Sequence, residues 1–257
     1  MRLNKYLAIY GACSSRRAAD ELIRKGVVQV NGKQVLDLAT QITVGQDEIL
    51  VANVPVRTSS APLVYWLLNK PRCLLVSHQA EEHKRTIFSL PMLRKIKFPL
   101  KYVGRLDYLS EGLLLLTNDG QLAYRLMHPS FATEKVYEIL LHAKLTDEQM
   151  RAARQGNLLP DGQVRYFKIS PVQRQYLGAS YGHWYRVVVH EGRNNLLRRV
   201  FAALNMKVLR LLRVGFAGLQ LDRELVAGSY RQLTAVEIKN LRRLTAIPKD
   251  TCNKRGK

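Results

Sequence analysis

The chain has 257 residues, with 41 Lys+Arg against 20 Asp+Glu for a formal charge of +21, and 47% of its residues are apolar. Apolar runs recur from Leu3 to Leu244, which excludes disorder over most of the chain. None of them approaches the roughly 20 residues of a membrane span, and a positive surplus of this size points to a polyanionic partner, nucleic acid above all.

Residues 1–57 read as one small unit. Leu3, Tyr6, Leu7 and Ile9 share a face of a short helix ending at Gly11. Ser14-Ser15 offers an N-cap for a second helix over residues 16–25. Gly26 ends that helix, residues 27–30 read as a strand entering the tight turn Asn31-Gly32, and a strand at 48–51 closes a small sheet. The small, polar segment 58–62, ending in Pro62, reads as a linker.

Residues 63–68 are too uniformly apolar for a one-sided strand and predict a buried strand of a larger sheet. Further strands are expected at 138–141, 165–169, 184–190, 207–214 and 216–221. Helices are expected at 122–127, 147–155, 196–204 and 235–244. Glu111 reads as the start of a helix or turn. Strands outnumber helices and show no regular βαβ rhythm, so residues 63–245 predict an α+β domain on a mixed, largely antiparallel sheet. A basic tail, 246–257, follows.

The charge is unevenly spread. Seven basic residues and no acid lie between Lys84 and Arg105, six and none between Gly192 and Leu221, and seven against Asp250 alone from Lys239 onward. Runs lacking acids suit a groove that holds phosphates, whereas a solvated helix face alternates signs. Cys13, Cys73 and Cys252 are an odd set without close spacing, which fits reduced cytoplasmic thiols. The six histidines show no HxxxH pair, so no metal site is expected. No apolar segment of an export signal follows Arg2 and Lys5.

Gly104-Arg105-Leu106-Asp107 sets a basic residue and a carboxylate two apart, just before a turn and the run Leu113-Leu114-Leu115-Leu116. On an extended segment Arg105 and Asp107 point the same way. An isolated triplet of this kind is more often a structural pair, so its flanks decide.

Those flanks carry resemblances. The segments RLNKYLA, SSRRAADELIRKG and VVQVNGK together resemble the S4 RNA-binding domain, which implies RNA contacts at Arg16, Arg17, Arg24, Lys25 and Lys33. Asn69-Lys70-Pro71-Arg72, the GRLD segment, Lys135-Val136-Tyr137-Glu138 and Glu191-Gly192-Arg193-Asn194 with Arg198-Arg199 occur in the order of the RsuA/RluB family of ribosomal RNA pseudouridine synthases. The resemblance spans roughly residues 1 to 245. Residues 125–130 and Trp184-Tyr185 are most similar to the RluB type, which modifies large-subunit rRNA.

The resemblance implies Asp107 as the catalytic carboxylate, Arg198 as its bidentate partner and Tyr137 as the ring against the uracil. It implies Arg105 and Arg193 as RNA contacts. It further implies uridine isomerisation without cofactor or metal, by a cytoplasmic monomer whose partner is large-subunit rRNA. Three departures from the family pattern stand out: Asn195-Leu196 for a basic residue or His followed by Gln, Cys73 for a glycine, and Tyr108-Leu109-Ser110 for small polar residues. Competing readings are a non-catalytic rRNA-binding or assembly factor, and a glycosidase, for which Glu111 is the nearest second carboxylate.

Overall fold

The computed structural model describes residues 1–10, 12–13, 15–56, 62–96, 98, 100–156, 159–164, 167–172 and 182–245. The expected tail, Cys252, Gly11, Ser14, most of the linker and the start of the strand at 165–169 lie outside the described residues. The chain divides into two compact units, one of Met1–Val64 with Lys95–Lys101 and Thr117–Gln121, the other of the remainder.

The first unit contains α1 (Leu3–Ile9), α2 (Arg16–Arg24), β1 (Val28–Val30), β2 (Lys33–Gln34), β3 (Ile49–Val51) and β4 (Val54–Pro55). Its strands form an antiparallel sheet in the order β2-β1-β3-β4. Ser15 caps α2 by accepting the Ala18 N–H at 3.1 Å. In the turn between β1 and β2, Asn31 (φ 51°) and Gly32 (φ 76°) are both left-handed, as a two-residue hairpin of this hand requires. The Asn31 side chain also accepts the Glu48 N–H and donates to Asp47, both at 2.8 Å, so one residue sets the turn and ties it to the approach to β3. Leu3, Leu7, Ile23 and Val28 are fully buried at the centre of this unit.

The larger unit is built on β5 (Tyr65–Lys70), α3 (Pro91–Arg94), β6 (Lys101–Val103), β7 (Glu111–Thr117), α4 (Gly120–Met127), β8 (Lys135–Leu141), α5 (Asp147–Gln155) and β9 (Lys168–Pro171). It continues through β10 (His183–Val189), α6 (Leu196–Ala203), β11 (Val208–Phe216), β12 (Leu219–Gln220), β13 (Tyr230–Gln232) and α7 (Ala235–Leu244). The strand order is β13-β5-β7-β11-β8-β10-β9, with β12 beside β11 and β6 beside β7. Strands β7 and β11 are parallel, and β11, β8, β10 and β9 pair antiparallel in turn. The sheet is mixed and largely antiparallel, as the sequence predicts.

Two expectations change. Glu111 starts a strand, not a helix: Leu113 to Leu116 are all fully buried, and a strand covered on both faces shows an unbroken apolar run with no period to read. The strands expected at 207–214 and 216–221 are instead the single strand β11, running through Gly215, followed by the short return strand β12. Gly112 (φ 100°) is required where β7 meets β11, because a Cβ there would lie 2.4 Å from the Arg213 carbonyl oxygen.

Candidate active site

Asp107 lies on the loop between β6 and β7. Leu106 is buried and anchors the loop, which leaves Arg105 exposed and Asp107 half-buried. The Ser110 N–H closes a turn on the Asp107 carbonyl at 3.0 Å. Beneath the loop is Lys70, the last residue of β5 and wholly buried. Its Nζ donates to the carbonyls of Ser110 (2.7 Å), Pro71 (2.9 Å) and Tyr108 (3.5 Å). Burial pulls the Lys70 ammonium down to about 8; Cys73, Glu111 and Asp107 resist the fall and Arg213 adds to it. Cys73 donates its N–H to the Tyr108 carbonyl at 2.8 Å from a left-handed conformation, φ 58°. The position where the family often has glycine thus keeps glycine-like backbone geometry. Glu111 receives both ends of the Arg210 fork at 2.9 Å, so it is a structural carboxylate and not a second acid at the cleft.

Asp107 and Tyr137 line one cleft of about 1080 Å³, together with Arg105, Lys135, Arg193 and Arg213. Tyr137 on β8 faces Arg213 across the ladder to β11, and the two side chains interact electrostatically. Arg213 is buried, donates Nε to the Leu113 carbonyl at 2.7 Å and stacks 5.0 Å from the Phe216 ring. Lys135 donates to the Thr133 carbonyl at 2.7 Å. Burial lowers its ammonium to about 8, Arg213 pushes the same way and Glu191 opposes.

Arg198 departs from the expected bidentate pair. It forms no ion pair with Asp107; its Nη1 donates instead to the Val208 carbonyl at 3.3 Å, and its buried Nη2 has no hydrogen-bond partner. Burial lowers the Arg198 pKa, Asp107 works against that and Arg72 reinforces it, so the carboxylate acts on Arg198 through the field alone. A buried guanidinium nitrogen without an acceptor is costly, and it marks a place for one.

The basic run from Gly192 to Leu221 is largely committed to protein partners. Arg193 donates to Glu191 and to the carbonyls of Asp161, Gly162 and Gln163. Arg199 holds the Asp161 carboxylate bidentately at 2.9 and 2.7 Å, Arg210 holds Glu111, and Arg213 is buried. Apart from Glu191, which borders the run, the acids that answer it come from other parts of the chain, which a local charge count cannot see. In the first unit, Arg16, Arg17, Arg24, Lys25 and Lys33 are all exposed, and Arg16 also donates to Asn4 at 3.2 Å.

Lys70, Lys135 and Arg213 were absent from the sequence-predicted site. The first two sit inside the quoted motifs, so a signal existed. Arg213 is a single charge within the apolar run Leu211 to Phe216, which is itself the mark of a buried, partnered cation.

A mixed sheet carrying a carboxylate loop over a cation-lined cleft, with a separate helix-and-sheet unit presenting a basic helix, defines a two-unit α+β protein suited to RNA. The chain belongs to the RNA pseudouridylate synthase family, whose model matches residues 64–203, and an S4 domain matches residues 1–49. Ribosomal large subunit pseudouridine synthase B of Bacillus subtilis is 37% identical over 246 residues, covering 95% of this chain and 96% of the relative. An uncharacterized RNA pseudouridine synthase of Aquifex aeolicus is 36% identical, covering 94% and 93%. A crystal structure of a pseudouridylate synthase aligns at 31% identity with a TM-score of 0.63, over 94% of this chain and 99% of that one.

Proposed function

We propose that this protein converts a uridine of large-subunit ribosomal RNA to pseudouridine, acting as a cytoplasmic monomer. The observation that carries the reading is the placement of Asp107, half-buried in the cleft with Tyr137, on a loop clamped from below by Lys70. No described helix is long and apolar enough to cross a membrane.

The reaction cleaves the N-glycosidic bond, turns the base and rejoins it to C1′ through carbon. The proton on that carbon is lost and the ring nitrogen gains one, so atoms and electrons balance without a redox partner. Asp107 supplies the carboxylate beside C1′, where glycosyl chemistry develops positive charge. Tyr137, opposite Arg213 in the sheet, packs on the uracil. Arg198 presents its unpartnered Nη2 to the acceptor that arrives with substrate or with a shift of Asp107 toward it. Arg105, exposed at the cleft, contacts a phosphate beside the flipped uridine. Arg193 braces the cleft wall formed by residues 161–163, while Arg16, Arg17, Arg24, Lys25 and Lys33 hold RNA phosphates from the S4 unit.

Boundaries near 57 and 63 mark the RNA-binding and catalytic parts, with a basic tail after residue 245. Pseudouridine mapping across rRNA from cells with and without the protein tests the function. One large-subunit site should disappear in its absence. An unchanged map would leave the chain as a non-catalytic rRNA-binding factor.

A further inference from the structure

Met127, His128 and Pro129 line the same cleft as Asp107 and Tyr137, at the end of α4. Met127 is 48% exposed, and His128 is exposed as well. The imidazole is nonetheless held in place. Its Nδ1 accepts the Ser130 N–H at 3.3 Å and lies 2.8 Å from the Ser130 hydroxyl.

Tyr124 and Phe131 back the imidazole, with ring centroids at 5.4 and 6.4 Å. Thr133 Oγ1 donates to the Leu126 carbonyl at 2.7 Å, and the Phe131 N–H donates to the His128 carbonyl at 3.1 Å, so the turn is tied down on both sides. Ala132 closes it in a left-handed conformation (φ 42°) that costs an alanine about 1 kcal/mol. A flat ring is therefore kept rigid and open to the cleft, with a thioether beside it.

A uridine that leaves its stack exposes a face of the neighbouring base. Unpaired bases are taken up on aromatic rings, histidine included, and a rigid ring loses little entropy in doing so. The adjoining cations, Arg105 and Lys135, suit the phosphates on either side of such a base. We propose that His128, with Met127 beside it, is the stacking site for the base adjoining the target uridine. This rests on reading the cleft as a uridine isomerase site.

The test uses the full-length protein and large-subunit rRNA free of pseudouridine, at one fixed salt concentration. It compares His128→Ala, His128→Phe and His128→Asn, with the melting temperature of each recorded. His128→Ala should lower kcat/KM about tenfold, with the loss falling on KM. His128→Phe, which keeps a ring, should recover most of it. His128→Asn, which restores only the acceptor for the Ser130 N–H, should not. Recovery by Asn and not by Phe would reduce His128 to a turn cap and overturn the proposal, as would wild-type kinetics in His128→Ala. A wild-type protein that makes no pseudouridine would overturn the functional reading and the stacking site together, so the two failures are distinct.

Discussion

Asp107 and Arg198 illustrate how much a single side chain's surroundings decide. Asp107 has neighbours of the right kind but no ion pair, and Arg198 holds a buried nitrogen in reserve. Asp107→Asn keeps the size of the side chain and removes its charge, so turnover should be abolished with melting and RNA binding retained. Arg198→Lys cannot keep the Val208 contact and present a second nitrogen together. Its single-turnover rate should fall about a hundredfold, the usual scale for losing one preorganised donor. An undiminished rate would show that the unpartnered Nη2 has no role. Cys73 offers a test on stability. Its left-handed backbone disfavours any side chain, so Cys73→Gly should stabilise the protein by about 1 kcal/mol in urea unfolding. A destabilised variant would mean the thiol's packing outweighs the backbone.

The elements meet where a buried and a half-buried lysine hold backbone in place. Lys70 joins the end of β5 to the Asp107 loop, and Lys135 stands at the start of β8 beside Arg213 and Glu191. Each is held near pH 8 in the fold against 10.5 when unfolded. Between those values the unfolded chain binds more protons, so stability must rise with pH across that window. Removing one of the two groups should flatten the rise. Urea midpoints at pH 7.5 and 10 should therefore show wild type gaining on Lys135→Met, and parallel curves would contradict the burial argument.

Much of this level is legible in the sequence. The helices at 147–155 and 235–244 are found with the expected bounds, because amphipathic spacing and the Thr146 and Thr234 caps act locally. Strand β7 escapes detection because burial on both faces erases its alternation. Asp107 and Tyr137 meet in one cleft as their motifs suggest. The partners of Arg199 and Arg210 are not legible, since Asp161 and Glu111 approach them only through the fold.

At the scale of the whole molecule, charge is divided unequally. Residues 1–57 hold eight basic and five acidic residues, a net of +3, which leaves +18 of the +21 elsewhere. The S4 unit is therefore expected to contribute chiefly by tethering, raising the local concentration of RNA at the cleft. Truncation at residue 57 is a poor test of this. Lys95–Lys101 and Thr117–Gln121 belong to the same compact unit, where Lys101 donates to the Ala8 carbonyl and Ile9 lies against Gly120. Neutralising Arg16, Arg17, Arg24 and Lys25 together should leave the fold in place, since all four side chains are exposed. Affinity for an rRNA fragment should fall by about tenfold or more at fixed salt, and the salt dependence should become shallower. A collapse of turnover at unchanged affinity would instead make the S4 unit part of the active site.

Whether Asp107 in this cleft isomerises a uridine is decided by one experiment. Large-subunit rRNA lacking pseudouridine is incubated with purified wild-type or Asp107→Asn protein, and pseudouridine is then mapped at single-nucleotide resolution. Wild type should form one new site and Asp107→Asn none, at comparable RNA binding by the two proteins. The same site formed by Asp107→Asn, or no site formed by either protein, would contradict that role for Asp107.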